Sequence, residues 1–179
     1  MTDTGIGASV RRKEDQRFIT GQGRYLDDLN RPGQVYAYFL RSPHAFAKIK
    51  KIDTGAAQAA PGVVAIFTGA DVAADKVGSL ICGWTIKSKD GQPHKAPAHP
   101  PLALDTVRYV GDHVAVVIAE SVQQAKDAAD RIDVTYEVLK SVTTTADALK
   151  PGMPQLHADV PNNMCYDWEL GDKAAVDAV

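Results

Sequence analysis

The fold is decided by one stretch of the sequence, which begins with RSPHAFAKI at residues 41–49 and continues with IDT at 52–54 and PGVV at 61–64. The order of its elements follows from side-chain chemistry. An extended segment leads into Pro43, which fixes its own φ and keeps Ser42 extended, so the chain bends there. A strand, a short helix and a further strand follow. The stretch therefore predicts a strand–helix–strand unit that is entered through a proline bend.

Each element around this bend has a local signature. Residues 35–40 (VYAYFL) are β-branched and aromatic, which predicts a well-buried strand before the bend. Residues 46–52 alternate and predict the second strand, and Asp53 or Thr54 can cap the helix that follows. Residues 63–67 (VVAIF) form a continuous apolar run, which is typical of a strand covered on both sides.

A second unit of the same type follows later in the chain. Residues 114–119 (VAVVIA) predict a fully buried strand, and Ser121 with Gln124 predicts a capping box at the start of a helix. This helix has alanines on one face and mostly charged residues on the other, as expected for packing on a sheet. Residues 132–139 then predict an alternating strand. Its inward side chains are expected to be Ile132, Val134, Tyr136 and Val138.

Two strand–helix–strand units predict an α+β fold of mixed α/β layers. A right-handed crossover is expected wherever the joined strands are parallel. Between the units, residues 70–106 lack periodicity and are rich in Gly, Pro and Lys, and Asp90-Gly91 is typical of a hairpin turn. A connection of this length in a compact domain is usually functional, covers a partner or is disordered. We expect it to pack against a surface outside this chain.

The pattern of the sequence changes at residues 151–179, because Pro151, Pro154 and Pro161 interrupt any helix or strand periodicity. Apolar side chains then recur at every second position, which predicts a strand with one apolar face, and the chain reads as cut off soon afterwards. We therefore expect residues 160–179 to lack their packing partner and to be mobile or docked on another copy. The alternating side chains are Met164, Tyr166, Trp168 and Leu170.

Composition restricts the class of protein. The 179 residues suit one domain, or one domain plus a fragment, and 45% of them are hydrophobic. Acidic and basic residues are interspersed and give a net charge of −2, which argues against a nucleic-acid footprint. Cys82 and Cys165 lack C-x-x-C spacing, so a zinc ribbon and a disulfide framework are unsupported and a reducing cytoplasm is expected. Neither a signal peptide nor a membrane span is predicted.

Candidate catalytic motifs are weak throughout the chain. The G-x-G runs at residues 5–7 and 21–23 lack the third glycine and the preceding buried strand of a dinucleotide site. The five histidines show no metal-ligand spacing. Ser42 lies outside any G-x-S-x-G setting, which disfavours a hydrolase nucleophile. Gly111-Asp112 precedes a buried strand and is better placed for function, but we predict a tight structural turn there. The residues themselves display no reaction.

Several separated runs of the chain resemble the N-terminal a/b hammerhead domain of the molybdopterin-binding large subunit in the xanthine dehydrogenase and aldehyde oxidase family. Their amino-acid sequence most resembles that of carbon monoxide dehydrogenase large-subunit-like proteins. The runs keep the family's order over nearly the whole chain. They are TGQGRYLDD (20–28), RSPHA (41–45), IDT (52–54), PGVVA (61–65), TG (68–69), PLA (101–103), VRYVGD (107–112), VAVV (114–117), DVTYE (133–137) and the segment from Asn162-Asn163 to Gly171-Asp172.

The resemblance implies an a/b hammerhead fold and a division of the chain. Residues 1–18 would be an N-terminal extension, 19–145 the hammerhead domain, and 146–179 a linker with the truncated start of the molybdopterin-binding region. It implies no catalytic, cofactor-binding or metal residue here, since the family's cofactor loop and catalytic glutamate lie beyond the last residue. The motif turns are expected to be structural. They are Arg41, Ser42, Pro43, His44, Gly111 and Asp112.

The resemblance further implies a cytoplasmic oxidoreductase built from several polypeptides. The full large subunit would bind molybdenum through molybdopterin or molybdopterin cytosine dinucleotide. The expected partners are the rest of that subunit, an iron–sulfur small subunit with 2Fe–2S clusters and an FAD medium subunit, with no nucleic acid. The substrate stays open among carbon monoxide, an aldehyde, a purine and another N-heterocycle. The alternative is a stand-alone, non-catalytic binding or assembly module of the same fold.

Overall fold

The computed structural model describes residues 5–178 of the chain, which divides into two compact units, Met1–Gln34 and Val35–Val179. In the first unit, helix α1 (Asp15–Ile19) is followed by a 3-10 turn at Leu26–Asp28. The rings of Phe18 and Tyr25 stack there with 5.5 Å between their centroids.

The second unit contains two three-stranded sheets. Its strands are β1 (Tyr36–Arg41), β2 (Ala47–Asp53), β3 (Val63–Thr68), β4 (Thr106–Val107), β5 (His113–Ala119) and β6 (Asp133–Val138). Its helices are α2 (Gly55–Gln58), α3 (Gly69–Ala74), α4 (Val122–Ala129), α5 (Thr145–Ala148) and α6 (Lys173–Asp177), with a 3-10 turn at Pro161–Asn163. The first sheet has the order β1-β5-β3 and the second β4-β2-β6. Between residues 5 and 178, no helix combines the length and apolarity that crossing a membrane requires.

Both predicted strand–helix–strand units are present, and each passes from one sheet to the other. The first is β2-α2-β3 and the second is β5-α4-β6. All strand pairings given by the described residues are antiparallel, so the expected right-handed crossover has no parallel strands to which it applies. The prediction of an α+β fold with mixed layers is confirmed.

Helix α4 packs on the first sheet through its alanine face. It begins after Ser121, whose Oγ accepts a hydrogen bond from Gln124 N at 3.2 Å, so the predicted cap is confirmed. In a standard capping box the side chain of the third residue accepts from the backbone N–H of the cap residue. Here Gln124 Oε1 accepts instead from the Ser121 hydroxyl, at 2.8 Å. The alanines Ala125, Ala128 and Ala129 are fully buried. Their small size lets the helix lie close to β1 and β5.

Two apolar clusters form the core of the second unit. One lies under α4 and α2 and consists of Ala57, Ala60, Ala115, Val117, Ala119, Ala125, Ala128, Ala129 and Ile132. The other consists of Ala47, Ala103, Val107 and Val114. Ile52 of β2 and Val134 of β6 pack against both clusters, so the second sheet joins the two parts of the core.

The outer strands are more exposed than the sequence predicted. The predictions of a well-buried strand at 35–40 and of a strand covered on both sides at 63–67 are wrong, because β1 and β3 are sheet edges. The prediction that 114–119 is fully buried holds for most of β5, although Val116 and Ile118 are half-buried. Val138, predicted to point inward, is exposed. The exposed large hydrophobic side chains of the two edge strands are Tyr38, Phe39, Val64 and Phe67.

A hairpin turn forms at Asp90-Gly91, as predicted. Gly91 N donates to Ser88 O at 2.8 Å, and Lys87 pairs with Pro93 in an isolated antiparallel bridge. Gly91 has φ of +78°, a left-handed conformation that glycine adopts without strain.

The strand predicted from the alternation of Met164 to Leu170 is wrong, because the described residues of this segment form no strand. The segment lies along the hairpin instead. Lys95 N donates to Cys165 O at 2.9 Å, and Lys89 N donates to Asp167 O at 2.8 Å. These two backbone bonds hold the segment to the hairpin but do not build a regular ladder.

Candidate functional site

The turn after β1 and the turn before β5 lie against each other. Ser42 N donates to Asp112 O at 2.8 Å, and Gly111 N donates to Ser42 O at 2.8 Å. The Arg41 Nη1 atom donates to Gly111 O at 3.2 Å. Together the two turns form a group that we call the motif latch. It consists of Arg41, Ser42, Pro43, His44, Gly111 and Asp112.

Ser42 closes the first turn of the latch. Its side chain is buried, with 2% exposed, and its Oγ donates to His44 O at 3.1 Å and accepts from His44 N at 3.0 Å. Pro43, between them, is exposed. The hydroxyl therefore bonds mainly to the backbone of the turn, which agrees with the sequence argument against a nucleophilic serine.

Asp112 closes the second turn. It is buried, with 7% exposed, and its Oδ2 accepts a hydrogen bond from Arg108 N at 3.0 Å. Burial raises the pKa of the Tyr109 phenol, and the Asp112 carboxylate raises that pKa further, while Arg41 opposes the shift. Gly111 has φ of +93° with no atom within 4 Å of an added Cβ, so its requirement is conformational rather than steric.

The latch also contacts the second sheet through Tyr136 of β6. The His44 and Tyr136 rings meet edge to face, with 4.9 Å between centroids and 72° between planes. Burial raises the pKa of Tyr136, a hydrogen bond from Ser42 lowers it and the charge of Asp112 raises it. The phenol is therefore neutral at physiological pH and is no candidate for a general base.

The contacts of the latch are of the kind that fixes a backbone. They tie β1, β5 and β6 together through two turns that lie about 70 residues apart in sequence. Ser42 and Asp112, its two buried polar residues, each bond to backbone N–H groups. The structural role assigned to these turns stays a prediction.

A cavity of about 190 Å³ opens beside the latch. Arg108 Nε donates to Leu156 O at 3.1 Å, and its Nη1 donates to Thr106 O at 3.2 Å. Of the residues that line this cavity, the sequence predicts Asp112 as a turn residue and gives the histidines no metal-ligand spacing, but it predicts no site here. Arg108 had a signal in the run 107–112, whereas His157 lies among prolines in a segment without periodicity and had none. The polar lining consists of His99, Thr106, Arg108, Tyr109, Asp112 and His157.

Large apolar side chains stay exposed on the loop 77–84 and on the tail beside the hairpin. We call this set the uncovered apolar surface, and it consists of Val77, Leu80, Ile81, Trp84, Met164, Tyr166, Trp168 and Leu170. Leu80, Ile81 and Tyr166 line one open groove. Next to it, Lys89 Nζ pairs with Glu169 at 2.9 Å and with Asp167 at 3.5 Å, and the Glu169 carboxylate is the main cause of the raised pKa of Lys89.

The described residues offer few donors for a metal. Between residues 5 and 178, no group of three or more His, Cys, Asp and Glu side chains is arranged to hold a metal ion. Cys82 and Cys165 are free, exposed thiols in the same open groove. His94 Nδ1 accepts from Ile86 N at 3.1 Å, while its buried Nε2 has no partner among the described residues.

This chain is similar to known proteins in sequence and in structure. A family model described as "Aldehyde oxidase and xanthine dehydrogenase, a/b hammerhead domain" matches residues 20–140, which include all six strands and the latch. The nicotine 6-hydroxylase large subunit of Paenarthrobacter nicotinovorans is 38% identical over 92% of this chain and 19% of its own length. The carbon monoxide dehydrogenase large chain of Afipia carboxidovorans is 34% identical over 97% of this chain and 22% of its own length.

A solved structure extends the comparison to the backbone. The crystal structure of quinoline 2-oxidoreductase from Pseudomonas putida 86 matches 84% of this chain with a TM-score of 0.71 and 41% identity, and the match covers 18% of that chain. The chain thus spans about a fifth of the length of the relatives that it matches.

Proposed function

Because the chain belongs to the aldehyde oxidase and xanthine dehydrogenase family through its a/b hammerhead domain, we propose that it is the N-terminal structural domain of a molybdenum hydroxylase large subunit. The complete enzyme would be an oxidoreductase of the carbon monoxide dehydrogenase, xanthine dehydrogenase or aldehyde oxidase type. Its active site would lie in the part of the subunit outside this segment. The proposed division is an extension at 1–18, the hammerhead domain at 19–145, and a linker with the start of the molybdopterin-binding region at 146–179.

The uncovered apolar surface is the observation that carries this proposal. Ile81 is 94% exposed, Trp84 77% and Trp168 55%, and these residues lie on segments that meet at one groove or its border. Covering apolar area stabilises an assembly by about 25 cal/mol per Å², and contiguous apolar patches mark protein contacts. About four-fifths of each relative lies outside the matched part, which supports the rest of the large subunit as the cover.

The cofactors of the enzyme belong, in this proposal, to other polypeptide. Molybdenum would be held through molybdopterin or its cytosine dinucleotide in the rest of the large subunit, and 2Fe–2S clusters and FAD in a small and a medium partner subunit. The cysteines of this chain do not fit a 2Fe–2S cluster. A 2Fe–2S cluster takes four protein ligands, usually cysteines, and the chain has two cysteines, both exposed. We assign no chemical step to these side chains.

The substrate class and the location are proposed on the strength of the family and stay broad. The relatives include proteins named for nicotine, carbon monoxide and quinoline. We propose oxidation of carbon monoxide, an aldehyde, a purine or another N-heterocycle by the complete enzyme. The free thiols Cys82 and Cys165 agree with a cytoplasmic location, where thiols are kept reduced.

The reading frame that contains this segment tests the proposal at the level of the gene. We expect it to continue past Val179 into a glycine-rich cofactor loop and to have neighbours that encode iron–sulfur and flavin subunits. A stop codon directly after Val179, with no such neighbours, would support the stand-alone binding or assembly module instead.

Assembly of the complete large subunit tests the role of the apolar surface. A double variant, Trp84→Ser with Trp168→Ser, should lower the yield of assembled, active enzyme from a host that makes the molybdenum cofactor. Val64→Ser is the matched control, because Val64 is exposed on β3, outside that surface. An unchanged yield in the double variant, or turnover by the isolated 179-residue chain with artificial electron acceptors, would overturn the proposal.

A further inference from the structure

Arg108 is a half-buried cation without an acidic partner in the described part of the chain. None of the ion pairs between residues 5 and 178 includes it. Its guanidinium donates to the carbonyl oxygens of Leu156 and Thr106. These bonds use two of its five N–H donors and place no negative charge beside it. A cation held in this way has both charge and donors left for a ligand.

Two histidines line the same cavity as Arg108. His157 is half-buried, and His99 is exposed and stands edge to face with Tyr109 at 6.3 Å between ring centroids. Burial lowers the pKa of His157, the charges of Arg108 and His99 lower it further, and Asp159 opposes them. Three groups that are or can become positive therefore face one small space.

Asp112 is the acidic residue of the cavity lining, and its charge is partly offset. Its Oδ2 accepts from Arg108 N, and it also interacts with the Tyr109 phenol. With His157 neutral, the charges of Arg108 and Asp112 balance within the lining, and Asp159, which acts on His157 from outside the lining, is exposed to solvent. When His157 is protonated, the lining carries a net positive charge, and an anion would be favoured there.

We propose that this cavity is a binding site for one small oxyanion of sulfate or phosphate size, held by Arg108 and protonated His157, with His99 at the rim. A volume of about 190 Å³ holds several waters at about 30 Å³ each, or one such anion with waters. The planar guanidinium matches the oxygens of a tetrahedral oxyanion and is the usual protein group for them. The site lies beside the latch and is independent of the enzyme role proposed above.

Sulfate is the probe of choice, because it stays a dianion over the range in which histidine titrates. Because the pKa of His157 is lowered by burial, the gain is fully present only well below the ordinary range of histidine. Binding should be about tenfold tighter at about pH 5 than at about pH 8, since each pKa unit of linkage changes affinity tenfold. By the same linkage, sulfate should raise the titration midpoint of His157 by about one unit, as an anion at 4–6 Å does. Both are measured by NMR on the full chain, with chloride at matched ionic strength as the reference.

Matched variants separate a built site from general charge attraction. Arg108→Gln should abolish the shift of the His157 midpoint, while Arg131→Gln, which removes an exposed arginine after α4, should leave it unchanged. Because Arg108→Gln also removes two bonds to backbone, His157→Gln is the second variant, and it should remove most of the pH dependence of sulfate binding. Equal binding in all three variants would mean an adventitious ion only and would overturn the proposal.

Discussion

The two-sheet framework and the outer segments of the second unit are built in opposite ways. The framework consists of β1–β6 with α2 and α4, and its core residues are small and fully covered, such as Ala47, Val114 and Val117. The outer segments are residues 77–99 and 151–178. Among their described residues, Val160 is the single buried side chain.

The difference concerns where each part obtains its stability. The framework has its antiparallel ladders and its helix layer within the chain, so its core is fully buried, although the edge strands β1 and β3 keep some apolar side chains exposed. The outer segments are held by isolated polar contacts, such as the bond from Asp167 N to Ser88 Oγ at 3.1 Å, and leave tryptophans exposed. We therefore expect the framework to be stable on its own and the outer segments to be covered by another surface.

The largest effect is expected where the framework meets the loop before β4. A Cβ added to Gly69 would lie 2.2 Å from Ala103 O and 2.7 Å from Leu104 Cα, and these are backbone atoms that cannot move aside cheaply. Gly69→Ala should lower the free energy of unfolding by about 3 kcal/mol, measured by urea denaturation. Gly83→Ala is the control, because no atom lies within 4 Å of its added Cβ. Equal loss in both variants would contradict the steric account.

The next effect concerns Asn163, which holds the segment 151–163 together. Its Nδ2 donates to Ala148 O at 3.1 Å and Pro154 O at 2.9 Å, and its Oδ1 accepts from Leu156 N at 2.9 Å. Asn163→Ala loses all three bonds, each worth about 0.5–1.5 kcal/mol. Asn162→Ala is the matched control, since both asparagines have φ of 55° and pay the same left-handed penalty on substitution, while Asn162 is exposed.

Amide exchange at Leu156 measures this effect directly. Asn163→Ala should destabilise the protected state of the Leu156 amide by about 2 kcal/mol more than Asn162→Ala. The exchange rate in β5 should not change, because the framework does not depend on this segment. A parallel loss of protection in β5 would mean that the segment and the framework unfold together, and the contrast drawn between them would be wrong.

Sequence reasoning succeeded where the signal is local. Three features depend only on residues that lie close together in sequence, so side-chain chemistry predicts them. They are the Ser121 cap of α4, the alanine face of that helix and the Asp90-Gly91 turn. The two strand–helix–strand units follow for the same reason. What the local pattern does not contain is which strand pairs with which, and both units turned out to connect different sheets.

The wrong burial predictions and the missed cavity have one physical cause. Whether a residue is buried depends on which elements pack against it, and the sequence of its own strand does not contain that information. Residues 63–67 are apolar on both faces, yet Val64 and Phe67 are exposed because β3 lies at a sheet edge. The cavity was missed in the same way. Arg108 and His157 are 49 positions apart, and their approach depends on how segment 151–163 folds back.

The latch gives a smaller test of the framework. Asp112→Ala removes the acceptor for Arg108 N and leaves a part-buried donor unpaired, which costs about 1–3 kcal/mol. We expect a loss of about 1.5 kcal/mol in urea denaturation. Asp105→Ala is the control, because the Asp105 side chain is exposed and its carbonyl bond from Ile49 N survives the change. Equal free energies of unfolding for the two variants would show that the latch does not stabilise the framework.

The smallest effect is expected on the uncovered apolar surface. Trp84→Ser and Trp168→Ser should each change the free energy of unfolding of the isolated chain by less than about 0.5 kcal/mol, because exposed side chains away from the core contribute little. Val117→Ala, which removes two buried methyl groups from β5, should cost about 2 kcal/mol although it deletes far fewer atoms. Chemical denaturation of a monomeric sample measures all three. A loss above about 1 kcal/mol at either tryptophan would show that the chain itself covers this surface, since only a buried indole contributes so much, and no external partner would then be needed.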